Sequence, residues 1–402
     1  MNKNSKEGMD MNIMHNNTVN FSNYTIGKDS FASINDICKT YGNKILVIGG
    51  KTAIGVVKQK LEEYINDSNF DMKTIWTSDE NGGNKYCWNV RKSPNEINNI
   101  KLEVVGYEWY GGECTYSNIS RLTEIALAKD AEIIIGVGGG KAIDTAKGVG
   151  ENLNLPIITI PTIASTCAAT TALSVVYDDN GDFDSFYFMK RPAIHAIIDT
   201  DIITKAPSKY LRAGMGDTIA KHYECTLASR GDDLNHSSWM AREISSMCVE
   251  PIVKYGEKAL LDSKEGEATF EVEQIILNNI VSTGLVSMLI DEKYNGAIAH
   301  SLFYGLTLLE HIEKNYLHGD VVGYGVLVQL AVDKKIDEMN KLYKFFKKIG
   351  IPTSLKDIEV KNDLDYLDKV LQETIDGPDM EHLPYKVTKK MIFEAIQIVE
   401  SL

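Results

Sequence analysis

The chain is poor in the features that mark secreted, membrane-spanning and polyanion-binding proteins. Its six cysteines (Cys38, Cys87, Cys114, Cys167, Cys225 and Cys248) are scattered, with no pair at CxxC spacing. They read as reduced intracellular thiols rather than a disulfide framework. The opening stretch MNKNSKEGMDMNIMHNN has no apolar core of the kind a signal peptide needs, and no later stretch reads as the roughly 20 apolar residues that span a bilayer. Basic residues are the minority, 42 against 56 acidic, and the net charge of -14 disfavours a nucleic-acid or anionic-membrane surface. Internal repeats are absent, and low complexity is confined to the Asn-rich start. What remains is a cytoplasmic enzyme or binding protein whose partners are small molecules. With 402 residues and 44% hydrophobic content it can bury substantial cores, and the length favours two domains.

Two common glycine signatures are missing as well, although glycine is prominent in EIIIGVGGGKAIDTAK, residues 132–147. The dinucleotide GxGxxG has Lys141 where its third glycine belongs, and the P-loop register fails because Ala142 follows Lys141. Even so, a β-branched run that ends in three glycines and opens into a helical pattern can bind an anion. Glycine permits close backbone approach, and the first helical amides have no partner within the helix. A phosphate-bearing cofactor is expected at Gly138, Gly139, Gly140 and Lys141; a strand-to-helix turn without a ligand is the plainer alternative.

Residues 1–20 read as a polar tail. From Lys44, short β-branched runs (KILVIGG, KLEVVGYEW, EIIIGVG, PIITIPT, AIHAIIDTDII) alternate with helical stretches, predicting a parallel sheet covered by helices over 21–205. LSVVYDDNGDF turns in the manner of a hairpin, and a Trp-bearing stretch at about 71–99 reads as a hairpin insertion. From about 206 to 402 the apolar spacing becomes helical, as in EQIILNNIVSTGLVSML and GAIAHSLFYGLTLLEHI. The expected architecture is an α/β nucleotide-binding domain followed by an all-α domain.

In the helical half, Asp217 (AGMGDTIAK), His300 (GAIAHSLF) and His318 (YLHGDVV) are metal-ligand candidates. One carboxylate and two imidazoles suit zinc, with a fourth position left for water or a substrate oxygen. Taken singly, each also has an ordinary reading: a core histidine, a loop or capping histidine, and a helix N-terminal acid.

GVGGGKAIDTAK, IPTIAST, LSVVY, AGMGDTIAK, AIAHSLFYGLT and LHGDVVGYGVLVQL, in this order, resemble the glycerol dehydrogenase branch of the iron-type alcohol dehydrogenase superfamily. The resemblance covers roughly residues 20–402. It implies the dehydroquinate synthase-like fold, with the active site between an α/β part and a helical part. It also implies that Asp217, His300 and His318 bind the metal, that Gly138 to Lys141 cradle a pyrophosphate, and that Thr162, Ser165, Thr171, Leu173 and Tyr177 line the nicotinamide half. Relatives of this kind form dimers and rings, so a homo-oligomer is expected. The expected reaction is hydride transfer between a nicotinamide and a small alcohol or carbonyl, with a divalent metal as Lewis acid: zinc, or else iron or manganese.

Three departures from the family pattern refine this. The iron-binding branch has a histidine four residues after its aspartate; here Lys221 stands there, favouring the three-ligand zinc type. The family's ASTDAP aspartate, which contacts glycerol, is replaced by Cys167 in ASTCAA. A thiol removes both an acceptor for a polyol and a charge that repels an acid. These motifs lie nearest to hydroxycarboxylate dehydrogenase A members, so a 2-oxo or 2-hydroxy acid is the preferred substrate class, with glycerol or another vicinal diol or aldehyde as runner-up. Lys221 would then reach the substrate carboxylate, or else lie in solvent or pair with Glu224. Cys167 as a covalent nucleophile is a lesser alternative. Finally, NAD-preferring members place an aspartate after the first strand, where this chain has Gly49, Gly50 and Lys51. That leaves room and positive charge for a 2′-phosphate and favours NADP, with NAD possible. A dehydroquinate synthase-like carbon-oxygen lyase and a non-catalytic nucleotide-binding protein are the rivals from other classes.

Overall fold

Ile133 to Val137 carry β-branched side chains on both faces apart from Gly136, and a strand of that composition is stable only when covered on both sides. In the computed structural model, which describes residues 20–66 and 100–402, this strand is buried from end to end. Odd and even positions feed different cores: Ile133, Ile135 and Val137 meet Ile45, Val47, Leu61 and Ile160, whereas Ile134 meets Leu46, Ile48, Leu122 and Val149. Each such aliphatic side chain contributes about 1.5–3 kcal/mol by leaving water, so a double-sided strand anchors two layers at once.

Six strands form a parallel sheet: β1 (Asn23–Ile26), β2 (Lys44–Gly49), β3 (Glu103–Trp109), β4 (Ile133–Gly138), β5 (Ile157–Pro161) and β8 (His195–Ile198), in spatial order β1-β8-β5-β4-β2-β3. The intervening β6 (Leu173–Tyr177) and β7 (Phe183–Phe188) pair antiparallel as a separate hairpin, turning at DDNGD where Gly181 has φ +97°. β1 is too short and polar to show in the sequence pattern; it adds to β8 at the sheet edge. From β2 the chain steps outward to β3 and returns to β4 on the other side, so the gap between β2 and β4 is a switch point, where open parallel sheets leave a crevice beyond their carboxyl ends. Gly49-Gly50-Lys51 and the Gly138–Gly140 turn lie at those two strand ends.

After Ile198 the described residues contain no further strand. GAIAHSLFYGLTLLEHI is not one helix: it breaks at Leu308 and Leu309 into Ile298–Thr307 and Glu310–Asn315. Phe270–Leu289 is a continuous 20-residue run of mean hydropathy 1.3, longer and more apolar than the sequence reading allowed for. More than half of it is buried against the rest of the protein, including Val272, Ile275, Ile276 and Ile280 of the main helical core. Its middle, Asn278–Ser282, widens into a π-turn. The expected insertion at about 71–99 lies outside the described residues, as does all of the expected tail but residue 20.

The Lys209–Ala228 helix and the His318–Val332 helix approach until backbones touch. A Cβ on Gly216 would lie 2.1 Å from the Gly319 carbonyl oxygen, and one on Gly319 would lie 1.9 Å from that of Ala213. Arg212 fastens the same crossing with a bidentate pair to Asp320, at 2.9 and 2.6 Å. No side chain can fit there without parting the helices. Gly319→Ala is therefore expected to cost roughly 1–3 kcal/mol or more, as overpacking does. A thermal midpoint equal to the parent's would refute this account of the crossing.

Candidate active site

Because each of those glycines adjoins a polar residue, the helix crossing also brings Asp217 to His318. Asp217 Oδ1 lies 3.4 Å from His318 Nε2 and 3.5 Å from His300 Nε2, the latter presented by the Ile298–Thr307 helix. The three donor atoms lie within 4.8 Å of one another, and none of the residues is fully buried. His318 is steadied by the edge of the Phe303 ring, with centroids 4.4 Å apart.

Glu224, two turns beyond Asp217 on the same helix, sets the orientation of His300. Its Oε1 accepts from the Ala297 and His300 amides at 3.0 and 2.8 Å, and its Oε2 lies 2.5 Å from His300 Nδ1. A buried carboxylate so placed can only accept, so Nδ1 carries the proton and Nε2 is turned toward Asp217. Burial alone would disfavour charge on each of these groups. In Asp217 the two imidazoles outweigh it and hold the carboxyl well below its ordinary range. In His300, Glu224 and Asp217 outweigh it and push the imidazole up to about 10. An acidic oxygen between two imidazoles, one with its far nitrogen anchored by a carboxylate, is a donor set that fits a divalent cation.

Lys221 is buried, but its ammonium is neither solvated nor bonded to Glu224. It donates to the carbonyl and side-chain oxygens of Asn295 at 2.7 and 2.6 Å. His222, one step round the helix, faces Ser245 at 2.8 Å. Cys167 borders the site: burial, with Asp217 adding to it and Lys221 opposing, pushes its thiol up to about 11. It is a neutral thiol near pH 7, which gives no support to a nucleophilic role.

On the sheet side, Gly138 takes φ +143°, and the Thr162 amide donates to its carbonyl at 3.1 Å. Gly139 caps the Gly140–Leu153 helix, and a Cβ there would meet Ile163 at 2.7 Å. The glycine turn is thus packed against the 162–168 loop that holds Thr162, Ser165 and Cys167. Lys147, fully buried, ties the two together: it pairs with Asp144 at 2.9 Å and donates to the carbonyls of Ala168, Thr171 and Leu173. Lys141 pairs with Glu113 and lies 4.6 Å over the Tyr177 ring. Lys51, at the end of β2, holds its ammonium 4.4 Å over Trp109 at the end of β3.

The two halves are stitched at the π-turn. Asn279 donates to the Ala164 and Leu211 carbonyls at 2.9 and 3.1 Å, and Thr170 donates to the Ile280 carbonyl at 2.6 Å. Sequence reasoning missed Asn279, Glu113 and the anchoring role of Glu224. Only Glu224 carried a readable signal, since Asp217, Lys221 and Glu224 share one helix face.

A glycine turn at a parallel-sheet switch point, together with a convergent carboxylate and two imidazoles, fits the class of nucleotide-linked, metal-dependent dehydrogenases. The chain belongs to the iron-containing alcohol dehydrogenase family, whose model matches residues 88–200. It is 35% identical to the glycerol dehydrogenase of Thermotoga maritima over 303 residues, 74% of this chain and 82% of that one. Hydroxycarboxylate dehydrogenase A of Escherichia coli is 34% identical over 295 residues, 73% of this chain and 81% of that one. The solved glycerol dehydrogenase of Schizosaccharomyces pombe superposes with a TM-score of 0.78 at 25% identity, covering 96% of this chain and 90% of that one. The protein is accordingly an oxidoreductase of a family that acts on alcohols.

Glu224→Gln would retain the two backbone bonds but present an amide N–H to Nδ1, forcing the proton onto Nε2. Metal affinity is expected to fall roughly 10–100-fold, measured as metal retained after dialysis against graded chelator. Unchanged retention would remove Glu224 from the site.

Proposed function

We propose that this protein is a glycerol or vicinal-diol dehydrogenase in which Asp217, His300 and His318 hold one divalent ion, zinc by its ligand set. The observation that carries this reading is the convergence of those three donors, with His300 locked by Glu224. When bound, the ion supplies Lewis acidity toward an alcohol or carbonyl oxygen, and the nicotinamide supplies the hydride acceptor or donor. The chain's own residues position these groups. Gly138, Gly139 and Gly140 with Lys141 receive the pyrophosphate, the helix start offering free amides. Thr162, Ser165, Thr171, Leu173 and Tyr177 border the nicotinamide, on a loop whose shape Lys147 holds. Gly49 and Gly50 leave the adenosine side open, and Lys51 favours NADP over NAD.

The 2-oxo or 2-hydroxy acid reading is favoured by one observation, the neutral Cys167 thiol where the family has a carboxylate. Against it, Asn295 takes two of the three N–H donors of the Lys221 ammonium, leaving only one for a substrate carboxylate. We also propose division near residue 205 into an α/β domain and a helical domain, a cytoplasmic location and a homo-oligomer. The exposed Phe183, Phe186 and Phe188 on one hairpin offer an apolar surface for self-association.

Protonated His300 cannot ligate, so metal uptake expels one proton. Between about pH 6.5 and 10, affinity is expected to rise roughly tenfold per pH unit. The metal-free protein should show the opposite trend. The stabilising charge on His300 is complete below its unfolded value near 6.5 and is lost as pH rises through about 10. Titrations with zinc at several pH values check the slope; a flat profile would contradict the assignment of His300.

The substrate reading is tested by assaying glycerol, 1,2-propanediol, 1-propanol and 2-oxobutyrate with both cofactors, after restoring zinc, iron or manganese. Polyol oxidation should dominate; a preference for 2-oxobutyrate would reverse it. In the same assays Lys51→Asp should shift the NADP(H) to NAD(H) preference at least about tenfold, and no shift would count against Lys51.

A further inference from the structure

The segment Asn295-Gly296-Ala297 is held at both ends by the helix that carries Asp217. Lys221 grips Asn295, and Glu224 accepts from the Ala297 amide. Between them Gly296 has no side chain, and the space is filled by Asp379. A Cβ on Gly296 would lie 2.4 Å from Asp379 Cγ and 2.5 Å from each carboxylate oxygen. Asp379 belongs to the short turn Pro378–Met380, which packs against the His300 helix.

Its surroundings make this carboxylate unusual. It is half-buried, yet no described residue hydrogen-bonds it. Burial pushes its carboxyl up, His300 and Lys221 draw it down, and Glu224 raises it further. Its contact with Gly296, and the packing of its turn on the Ile298–Thr307 helix, place Asp379 against the helix start that Glu224 fixes, at the residue four positions before His300. A half-buried acceptor without a donor among the described residues, set beside the start of the His300 helix, is suited to a donor that arrives with a ligand.

We infer that Asp379 is the polyol-selecting residue of this enzyme, accepting a hydrogen bond from a hydroxyl adjacent to the one that reacts. A monohydric alcohol lacks the second hydroxyl and gains nothing from Asp379. A 2-oxo acid brings its own carboxylate and meets like charge. The inference rests on the proposed diol reading and names the residue that enforces it.

The test compares kcat/KM for 1,2-propanediol and 1-propanol in the metal-loaded enzyme, parent against Asp379→Asn. The diol-to-monohydric ratio is expected to fall about tenfold or more, the scale of one charge-assisted hydrogen bond, chiefly through the KM for the diol. Activity on 2-oxobutyrate relative to 1-propanol should rise as the repulsion is relieved. Gly296→Ala provides an independent variant, since its methyl group displaces the carboxylate while leaving its charge; the diol ratio should fall there too. Retained metal content and thermal midpoint show whether each variant is folded. If the parent prefers diols and both folded variants keep the parental ratio, Asp379 is not the selector, while the diol reading stands. If the parent itself prefers 2-oxobutyrate to either alcohol, the diol reading fails and the inference falls with it.

Discussion

The helix crossing at Gly216 and Gly319 is the constraint on which the rest of the site depends. Two glycines, each preceding or following a candidate ligand, let the helices meet backbone to backbone. Only at that separation can Asp217 and His318 approach to 3.4 Å. Close packing of this kind makes position stiff, because a helix in van der Waals contact along its backbone cannot slide without opening voids on its other side. The Arg212–Asp320 pair adds direction to the same contact. The placement of Asp217 beside His318 is thus set by packing.

Two buried charges then extend this order to the remaining pieces. Glu224 would be costly to bury alone, and it is compensated by two amides and an imidazole, which fixes the start of the His300 helix. Lys147 would be equally costly, and it is compensated by Asp144 and three carbonyls, which fixes the loop that carries Thr171 and ends at Leu173. Because a buried unpaired charge is far less favourable than a paired one, each residue enforces one loop geometry. Asn279, turned inward by the π-turn, joins the two regions through the Ala164 and Leu211 carbonyls. The cofactor-side loops and the ligand-bearing helices are held as one network.

The proposed diol reading rests on charges that the network leaves uncommitted. Lys221 keeps its positive charge, but two of its N–H donors are held by Asn295, which fixes where that charge sits. Cys167 is a neutral thiol. Asp379 retains an acceptor with no donor among the described residues. That balance favours a hydroxyl-rich ligand over an anionic one, and it agrees with the glycerol dehydrogenases to which the chain is similar.

Local chemistry made much of this legible beforehand. β-branched runs that end in glycine can only be buried strands leading into tight turns, so the parallel sheet, the Gly138–Gly140 turn and the β6–β7 hairpin follow from residue order. The family motifs singled out Asp217, His300 and His318, although separations of 83 and 18 residues imply no proximity by themselves. β1 escaped because four half-polar residues carry no periodic signal and become a strand only by pairing with β8. The partners of Lys221 and the place of Asp379 escaped for a different reason: both contacts join segments 74 or more residues apart, the first to Asn295 and the second at Gly296, and neither has a pattern of its own. Sequence alone determined which elements form and which residue types are available for chemistry, since those depend on backbone preference and side-chain polarity. Only the tertiary structure decided which charges are neutralised and which remain open to a ligand, because that depends on long-range packing around Gly216, Gly319 and Gly296.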